Sequence, residues 1–173
     1  MTGNVRSSGL DPLLGRREVS SPHDMEELGR TIGGMLRPGD LIVLTGALGA
    51  GKTTLTRGIA AGLGVRGPVQ SPTFVIARTH PSLVGGAPLV HVDAYRLGSP
   101  AELDDLDIDF EASAVVVEWG RGMVDGLRDH WWEIELDREY HGRGIDTACG
   151  TSSRVTEALD ADTPRRVKIT RHP

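Results

Sequence analysis

The residues best suited to chemistry lie in one glycine-rich run, which reads Gly46-Ala47-Leu48-Gly49-Ala50-Gly51-Lys52-Thr53 and continues with Thr54. Every fixed position of the pattern G-x-x-x-x-G-K-[ST] is matched. In loops of this pattern, backbone N–H groups surround phosphate oxygens, the lysine reaches the β- and γ-phosphates, and the hydroxyl is a ligand of Mg²⁺. The run therefore predicts binding of a nucleoside triphosphate together with Mg²⁺.

This chemistry requires a strand before the run and a helix after it. A turn from strand to helix leaves the first N–H groups of the helix without partners inside the helix, and the helix dipole adds partial positive charge. Glycines at 46, 49 and 51 allow positive φ angles and let a phosphate approach the backbone. A chance match is expected in only about one of two hundred sequences of this composition. We therefore interpret the run as a phosphate-binding loop rather than an ordinary glycine-rich turn.

Two acidic residues come directly after short apolar runs. Asp93 follows Leu89-Val90-His91-Val92, and Glu118 follows Ala114-Val115-Val116-Val117. An acid at the end of a buried strand lies at the carboxyl edge of a parallel sheet, beside the phosphate loop, where it can hold Mg²⁺ or a water molecule. We expect both carboxylates to face the phosphates. Which of them binds the metal and which orients water stays open, and a solvated strand-end carboxylate is the simpler alternative for either.

Two further residues adjoin these acids. His91 stands between valines in the middle of its apolar run, which favours a packed, hydrogen-bonded core histidine over a ligand. Trp119 directly follows Glu118, so it could lie beside the phosphate site or stack on a partner. Packing in the core explains Trp119 equally well.

The chain around these residues shows alternating helix and strand signals. Ser21-Pro22 is typical of a helix N-cap followed by proline at the first helical position, and apolar residues then recur at helical spacing. Pro38-Gly39 ends this helix, and Leu41-Ile42-Val43-Leu44 predicts a buried strand. A second helix is predicted from Lys52 to the terminating Gly64.

Later segments complete the predicted sheet. Thr73-Phe74-Val75-Ile76 predicts a strand, as do the two apolar runs before the acids, and residues 100–112 predict short acidic helices. Residues 132–136 and 167–170 predict an antiparallel hairpin at the sheet edge. Continuous apolar strands alternating with helices indicate an α/β fold, with a mostly parallel sheet flanked by helices.

Length and composition indicate one domain of 173 residues with a net charge of −5. We predict a flexible tail at residues 1–16, a single domain at 17–173 and a mobile insertion at 137–164. The negative charge argues against passive wrapping of nucleic acid. The single cysteine excludes an intrachain disulfide, and we find no signal peptide or membrane span, so we expect a cytoplasmic protein without membrane contact.

Acidic residues are concentrated between the two strand-end carboxylates. The stretch from Asp93 to Glu118 contains eight acidic residues and one arginine, which gives it a net charge of −7. A solvated helical surface is the simpler explanation of this stretch. A docking surface for a basic partner is the alternative.

Four motifs in this order resemble the TsaE family (also called YjeE), the small P-loop ATPases of bacterial threonylcarbamoyladenosine tRNA modification. The resemblance runs from the first helix to about Leu136 and implies a P-loop NTPase fold that binds ATP and Mg²⁺. The segment 137–164 has no counterpart in it. The motifs are Gly46-Ala47-Leu48-Gly49-Ala50-Gly51-Lys52-Thr53-Thr54, Ser71-Pro72-Thr73-Phe74, His91-Val92-Asp93-Ala94-Tyr95-Arg96-Leu97 and Glu118-Trp119.

The resemblance also implies a role beside two sugar-kinase-like partners, TsaD-like and TsaB-like, which transfer a threonylcarbamoyl group to the adenosine next to the anticodon of tRNA. The TsaE-like subunit contacts tRNA indirectly and hydrolyses ATP, weakly alone and faster with its partners. Lys52 and Thr53 would serve phosphate and Mg²⁺, and Asp93 and Glu118 metal or water. Thr73 would lie in a switch-like loop, and Trp119 would adjoin the site.

Two other functions fit the same loop. A small kinase of a metabolite would need a mobile lid carrying arginines, and the late insertion, with Arg138, Arg143 and Arg154, is the candidate. A nucleotide-gated binding module with negligible turnover is the other alternative. A GTPase switch is disfavoured because the sequence has no Asn-Lys-x-Asp motif.

Overall fold

The computed structural model describes residues 9–138 and 163–173. Helices and strands alternate as far as residue 63, and the last two strands form a hairpin. The elements in chain order are a 3₁₀ helix at Asp11–Leu13, β1 (Gly15–Val19), α1 (Pro22–Met35), β2 (Leu41–Thr45), α2 (Lys52–Leu63), β3 (Ala77–His80), β4 (Leu89–Asp93), a 3₁₀ helix at Ala94–Arg96, α3 (Pro100–Asp104), β5 (Ala114–Glu118), β6 (Trp131–Arg138) and β7 (Arg165–His172).

One sheet of seven strands, in the order β1-β7-β6-β2-β5-β4-β3, organises the molecule. The four central strands are parallel: β2 pairs with both β6 and β5, and β4 pairs with β5. The flanking pairs, β3 with β4, β6 with β7 and β1 with β7, are antiparallel. This confirms the predicted α/β fold with a mostly parallel sheet and a C-terminal hairpin, and β1 adds one strand beyond that hairpin.

The continuous apolar strands are buried because both faces of the sheet are covered. Alternate residues of β2 point to opposite sides, so Ile42 and Leu44 join the core under α1 and α2, whereas Leu41 and Val43 join the core on the other face. The second core is closed by Leu103 of α3 and by the segment that follows β5. Apolar runs without alternation are what strands buried on both faces require.

Helix α1 begins where the sequence predicts, and it holds α2 in place. The Ser21 hydroxyl accepts a hydrogen bond from the backbone N–H of Asp24 at 3.1 Å. The two helices touch through glycines: a Cβ atom on Gly33 would lie 2.1 Å from the Ile59 carbonyl oxygen, and one on Gly58 would lie 2.2 Å from that of Glu26. The missing side chains therefore allow backbone contact that sets the position of α2 and of the loop before it.

The predicted strand Thr73-Phe74-Val75-Ile76 is wrong. These residues form a loop, and the strand begins at Ala77. The backbone N–H groups of Val75 and Ile76 both donate to the Pro72 carbonyl, at 2.9 and 2.6 Å, and Ile76 has a φ of 66°. A turn closed on Pro72 cannot belong to a sheet ladder, although its β-branched and aromatic residues favour strands.

The predicted acidic helices at 100–112 reduce to one, α3, of five residues. The N-terminal boundary also differs from the prediction. Within the predicted tail, Leu10 is fully buried, and β1 begins at Gly15 because β7 offers an edge on which it pairs.

Residues 1–8 of that tail, and 139–162 of the predicted insertion, lie outside the described residues. Asp137 and Arg138, the first residues assigned to the insertion, complete β6 instead. Within the described part of the chain, no helix is long and apolar enough to cross a membrane.

Candidate nucleotide-binding site

The glycine-rich run forms the connection between β2 and α2. Gly46, Gly49 and Gly51 all have positive φ angles, of 148°, 77° and 107°. A Cβ atom on Gly46 would lie 2.4 Å from the Leu136 carbonyl oxygen, so the loop also needs a glycine there to pass β6. Gly51 is the N-cap of α2, and no side chain caps the helix. The first N–H groups of α2 are therefore open to an anion, and the helix dipole favours one.

A cavity of about 550 Å³ opens beside this loop. It collects most of the residues that the sequence analysis singles out from separate parts of the chain. Of those residues, Gly46 and Ala50 do not line it. The Gly46 carbonyl accepts a hydrogen bond from Lys52, and Ala50 is fully buried. The predicted residues in its wall are Gly49, Gly51, Lys52, Thr53, Thr54, Thr73, Asp93, Glu118 and Trp119.

The Lys52 ammonium is held inside the loop. Its Nζ donates to the carbonyl oxygens of Gly46 and Ala47, at 2.8 and 2.9 Å, and lies 3.8 Å from the ring centre of Trp119. Burial lowers the pKa of Lys52 below its usual value, and the negative charges of Glu118 and Asp93 partly oppose that shift. The loop thus places a cation next to the helix N-terminus before any phosphate arrives.

Asp93 and Glu118 lie side by side at the carboxyl edge of the sheet. They are register partners at the ends of β4 and β5, and their exposed fractions are only 4% and 3%. Parallel pairing brings them together although they are far apart in sequence. The structure therefore places both next to the phosphate loop, and not as solvated strand ends.

Each carboxylate belongs to a different hydrogen-bonded group. Oε1 of Glu118 accepts from the Thr53 hydroxyl at 3.1 Å and from Nε2 of His91 at 2.8 Å. Oδ2 of Asp93 accepts from the hydroxyls of Thr73, at 2.7 Å, and Ser71, at 3.2 Å. Glu118 is therefore connected to the phosphate loop, whereas Asp93 is connected to the loop before β3.

Trp119 lines the cavity because of its backbone conformation. Its φ of 61° is rare for a bulky residue, and its backbone N–H donates to the Leu44 carbonyl at 2.9 Å. The indole lies over Lys52 and makes an edge contact with Tyr95, with 5.3 Å between ring centres. A left-handed residue at this point turns the side chain out of the strand and towards the phosphate loop.

Sequence reasoning missed the hydrogen-bond partner of His91. The histidine is fully buried and hydrogen-bonded, as expected, but its partner is Glu118. A usable signal was present: His91 lies two residues before Asp93, and residues two apart on a strand share a face. Ser71 and Tyr95, which were noted only within motifs, also line the cavity.

Comparison with known proteins gives consistent matches. A family model described as "Threonylcarbamoyl adenosine biosynthesis protein TsaE" matches residues 19–145. Proteins named tRNA threonylcarbamoyladenosine biosynthesis protein TsaE are similar to this chain in several bacteria. The one from Streptomyces coelicolor is 60% identical over 117 residues, which cover 66% of this chain and 79% of the relative. That from Mycobacterium bovis is 45% identical over 139 residues, covering 75% and 81%.

A solved structure supports the same comparison. The crystal structure of Bacillus subtilis YdiB matches 88% of this chain and 81% of its own, with a TM-score of 0.61 and 27% sequence identity. Together with the loop between β2 and α2, this match identifies a P-loop NTPase fold. A further relative from the same organism, again named TsaE, is 36% identical over 119 residues, covering 68% of this chain and 74% of the relative.

Proposed function

This chain belongs to the TsaE family of threonylcarbamoyl adenosine biosynthesis proteins, and on that basis we propose that it binds and hydrolyses ATP to support threonylcarbamoyladenosine formation next to the anticodon of tRNA. One observation carries the enzymatic part of the proposal. Lys52, the Thr53 hydroxyl and two strand-end carboxylates converge on one cavity at the N-terminus of α2. That combination suits the positioning and charge stabilisation on which phosphoryl transfer depends.

The phosphates of ATP would occupy the anion site at the start of α2. Backbone N–H groups of residues 49–54 would donate to phosphate oxygens, and Lys52 would exchange its two loop carbonyls for the β- and γ-phosphates. This exchange replaces neutral acceptors by charged ones, and hydrogen bonds between charged groups are stronger. Lys52 is therefore the residue whose loss should affect ATP binding most directly.

The donor set fits Mg²⁺. The Thr53 hydroxyl, Glu118 and Asp93 place oxygen atoms at the cavity, to bind the metal directly or through water, and oxygen is the ligand atom that this hard cation prefers. Among residues 9–138 and 163–173, no group of three or more histidine, cysteine or acidic side chains could hold a metal ion by itself. These side chains are the protein's share of a shell that phosphate oxygens and water commonly complete. When bound, Mg²⁺ neutralises charge on the phosphates.

Hydrogen bonding supports different roles for the two carboxylates. Glu118 shares a hydrogen bond with Thr53, the hydroxyl expected to contact Mg²⁺, so we assign metal binding to Glu118. Asp93 we assign to orienting the attacking water. Oδ2 of Asp93 already accepts from Thr73 and Ser71, so a water molecule that binds Oδ2 would take the place of one of these hydroxyls, and the loop would have to move. Movement of the loop would then limit turnover.

The protein alone should turn over slowly for a second reason. Within the described residues, no arginine lines the cavity, and the arginine nearest to Gly49 is Arg138, whose Nη1 lies 3.8 Å from the position that a Cβ atom on Gly49 would take. The Arg96 guanidinium lies 5.4 Å from the ring centre of Phe74, and Arg121 pairs with Glu133 and Glu135. A supplied arginine can raise the rate of a P-loop enzyme by about 10³–10⁵. Partners are the proposed source of this charge or of the loop movement.

The proposed partners are the TsaD-like and TsaB-like sugar-kinase-like proteins, in the cytoplasm, with tRNA reached through them. The acidic stretch offers a surface on which a basic partner could dock. Its apolar residues pack into the core, and the six acids that lie between Asp93 and Glu118 are exposed. Opposite charge speeds association and selects partners. The exposed acids are Glu102, Asp104, Asp105, Asp107, Asp109 and Glu111.

The test is phosphate release from ATP by the protein alone and with the two partners, with and without tRNA. Slow release alone and marked stimulation by the partners are expected. Fast phosphate release at a rate that the partners do not change would indicate an independent enzyme. Transfer of the γ-phosphate to a metabolite would identify a kinase, and absence of release under all conditions would leave a nucleotide-gated binding module.

A further inference from the structure

His91 lies in the middle of β4, at the level of the sheet just below the two carboxylates. It is fully buried, and its Nε2 is 2.8 Å from Oε1 of Glu118. A carboxylate oxygen only accepts hydrogen bonds, so the imidazole is the donor. Nδ1 has no hydrogen-bond partner among the described residues, so the ring proton that makes the hydrogen bond is the one on Nε2.

We propose that His91 is a positioning residue, which holds Oε1 of Glu118 so that Oε2 remains available to Mg²⁺ at the phosphate loop. Within the described part of the chain, both donors to Glu118, His91 and Thr53, go to Oε1. Two donors on one oxygen fix the rotation of the carboxylate. They also offset the cost of burying a group that is only 3% exposed.

The two donors are not equivalent. The Thr53 hydroxyl lies at the mouth of the loop and is itself a proposed Mg²⁺ ligand, so its orientation changes when nucleotide arrives. His91 is enclosed in a central strand and does not line the cavity. We therefore expect its contact with Glu118 to be the same in the free and the nucleotide-bound protein. Hydrogen bonds of this kind, one step behind a metal ligand, typically contribute 10- to 100-fold to metal affinity.

His80 provides a matched control on the neighbouring strand. It is also buried, at 5% exposed, and its Nε2 has no hydrogen-bond partner in the described residues. Its Nδ1, however, lies 2.9 Å from the Arg66 carbonyl oxygen, away from the phosphate loop. Replacing His80 therefore disturbs a buried histidine of the same sheet without touching Glu118.

The experiment rests on the proposed function, because it measures ATP affinity by calorimetry with Mg²⁺ and with a chelator. In His91→Leu, Mg-ATP affinity is expected to fall about tenfold or more, whereas metal-free ATP affinity stays within about twofold of wild type. His91→Gln, which retains an N–H donor, should recover most of the loss. His80→Leu should change neither affinity. Thermal unfolding of each variant reports its folded state.

Two results would overturn the inference. The first is a wild-type Mg²⁺ dependence of ATP affinity in folded His91→Leu. The second is that His91→Leu lowers Mg-ATP affinity by the same factor when it is added to Glu118→Gln, where no carboxylate remains to be positioned. Should His91→Leu fail to fold, His91→Asn gives the same readout, because its shorter amide is polar but too short for the 2.8 Å contact. If wild-type protein binds ATP equally with and without Mg²⁺, the proposed function fails instead.

Discussion

Replacing Lys52 by methionine tests the phosphate-binding loop with little change of shape. Methionine keeps an unbranched side chain of similar length but lacks the ammonium. A hydrogen bond to a charged group contributes about 1.5–3 kcal/mol, so the dissociation constant for Mg-ATP should rise about 10- to 150-fold. Calorimetry measures this constant directly.

The contacts of Lys52 in the free protein indicate that Lys52→Met should change the folding stability little. The carbonyls of Gly46 and Ala47 lose their donor, which is unfavourable. Against this, burial disfavours the charged form of Lys52, as its lowered pKa shows, and methionine carries no charge to bury. The two effects oppose each other, so the thermal midpoint should stay within about 4 °C of wild type, at 2–4 °C per kcal/mol for a domain of this size.

The only other lysine of the chain supplies the control. Lys168 lies on β7 and pairs with Glu135 at 3.0 Å, with two fifths of its side chain exposed. Lys168→Met removes the same charge from a residue that does not line the cavity, and its ATP affinity should stay within about twofold of wild type. An unchanged affinity in folded Lys52→Met would refute the phosphate-loop assignment.

Three further predictions concern the site and its partners. Asp93→Asn and Glu118→Gln should both abolish partner-stimulated hydrolysis. Only Glu118→Gln should weaken Mg-ATP binding more than metal-free ATP binding. Full turnover in either variant would show that its carboxylate is purely structural. Mg-ATP should change tryptophan emission as Lys52 leaves the Trp119 ring, 3.8 Å away, and Trp119→Phe should remove most of the change; an undiminished signal contradicts the assignment. Partner stimulation should weaken at high salt and in a triple variant that replaces Asp104, Asp105 and Asp107 by asparagine. If stimulation persists in both tests, the acidic docking surface is rejected.

Local sequence patterns predicted the central elements well because their causes are local. The Ser21 cap of α1, the start of α2 at Lys52 and the apolar strands before Asp93 and Glu118 depend on residues only a few positions apart. The pairing of the two acids also followed, since carboxyl ends of parallel strands meet at one edge of a sheet.

Two structural errors had long-range or competing causes. β1 has charged residues and no helical or strand periodicity, and it is a strand because β7 presents an edge beside it. The segment from Thr73 has strand-forming residues, but its backbone N–H groups bond to Pro72 instead of a neighbouring strand. Propensity does not decide between these partners, because the choice depends on what the rest of the chain places nearby.

The sequence by itself determined that this protein has a glycine-rich loop between a strand and a helix, two strand-end acids and a mostly parallel sheet, because each follows from residue type and short-range spacing. Only the tertiary structure decided what each site residue touches. The contact between His91 and Glu118, the placement of Trp119 over Lys52 and the hydrogen bond from Thr73 to Asp93 all join separate elements. Such contacts depend on strand register, on a left-handed backbone angle at Trp119 and on loop closure, and no short-range pattern records those distances.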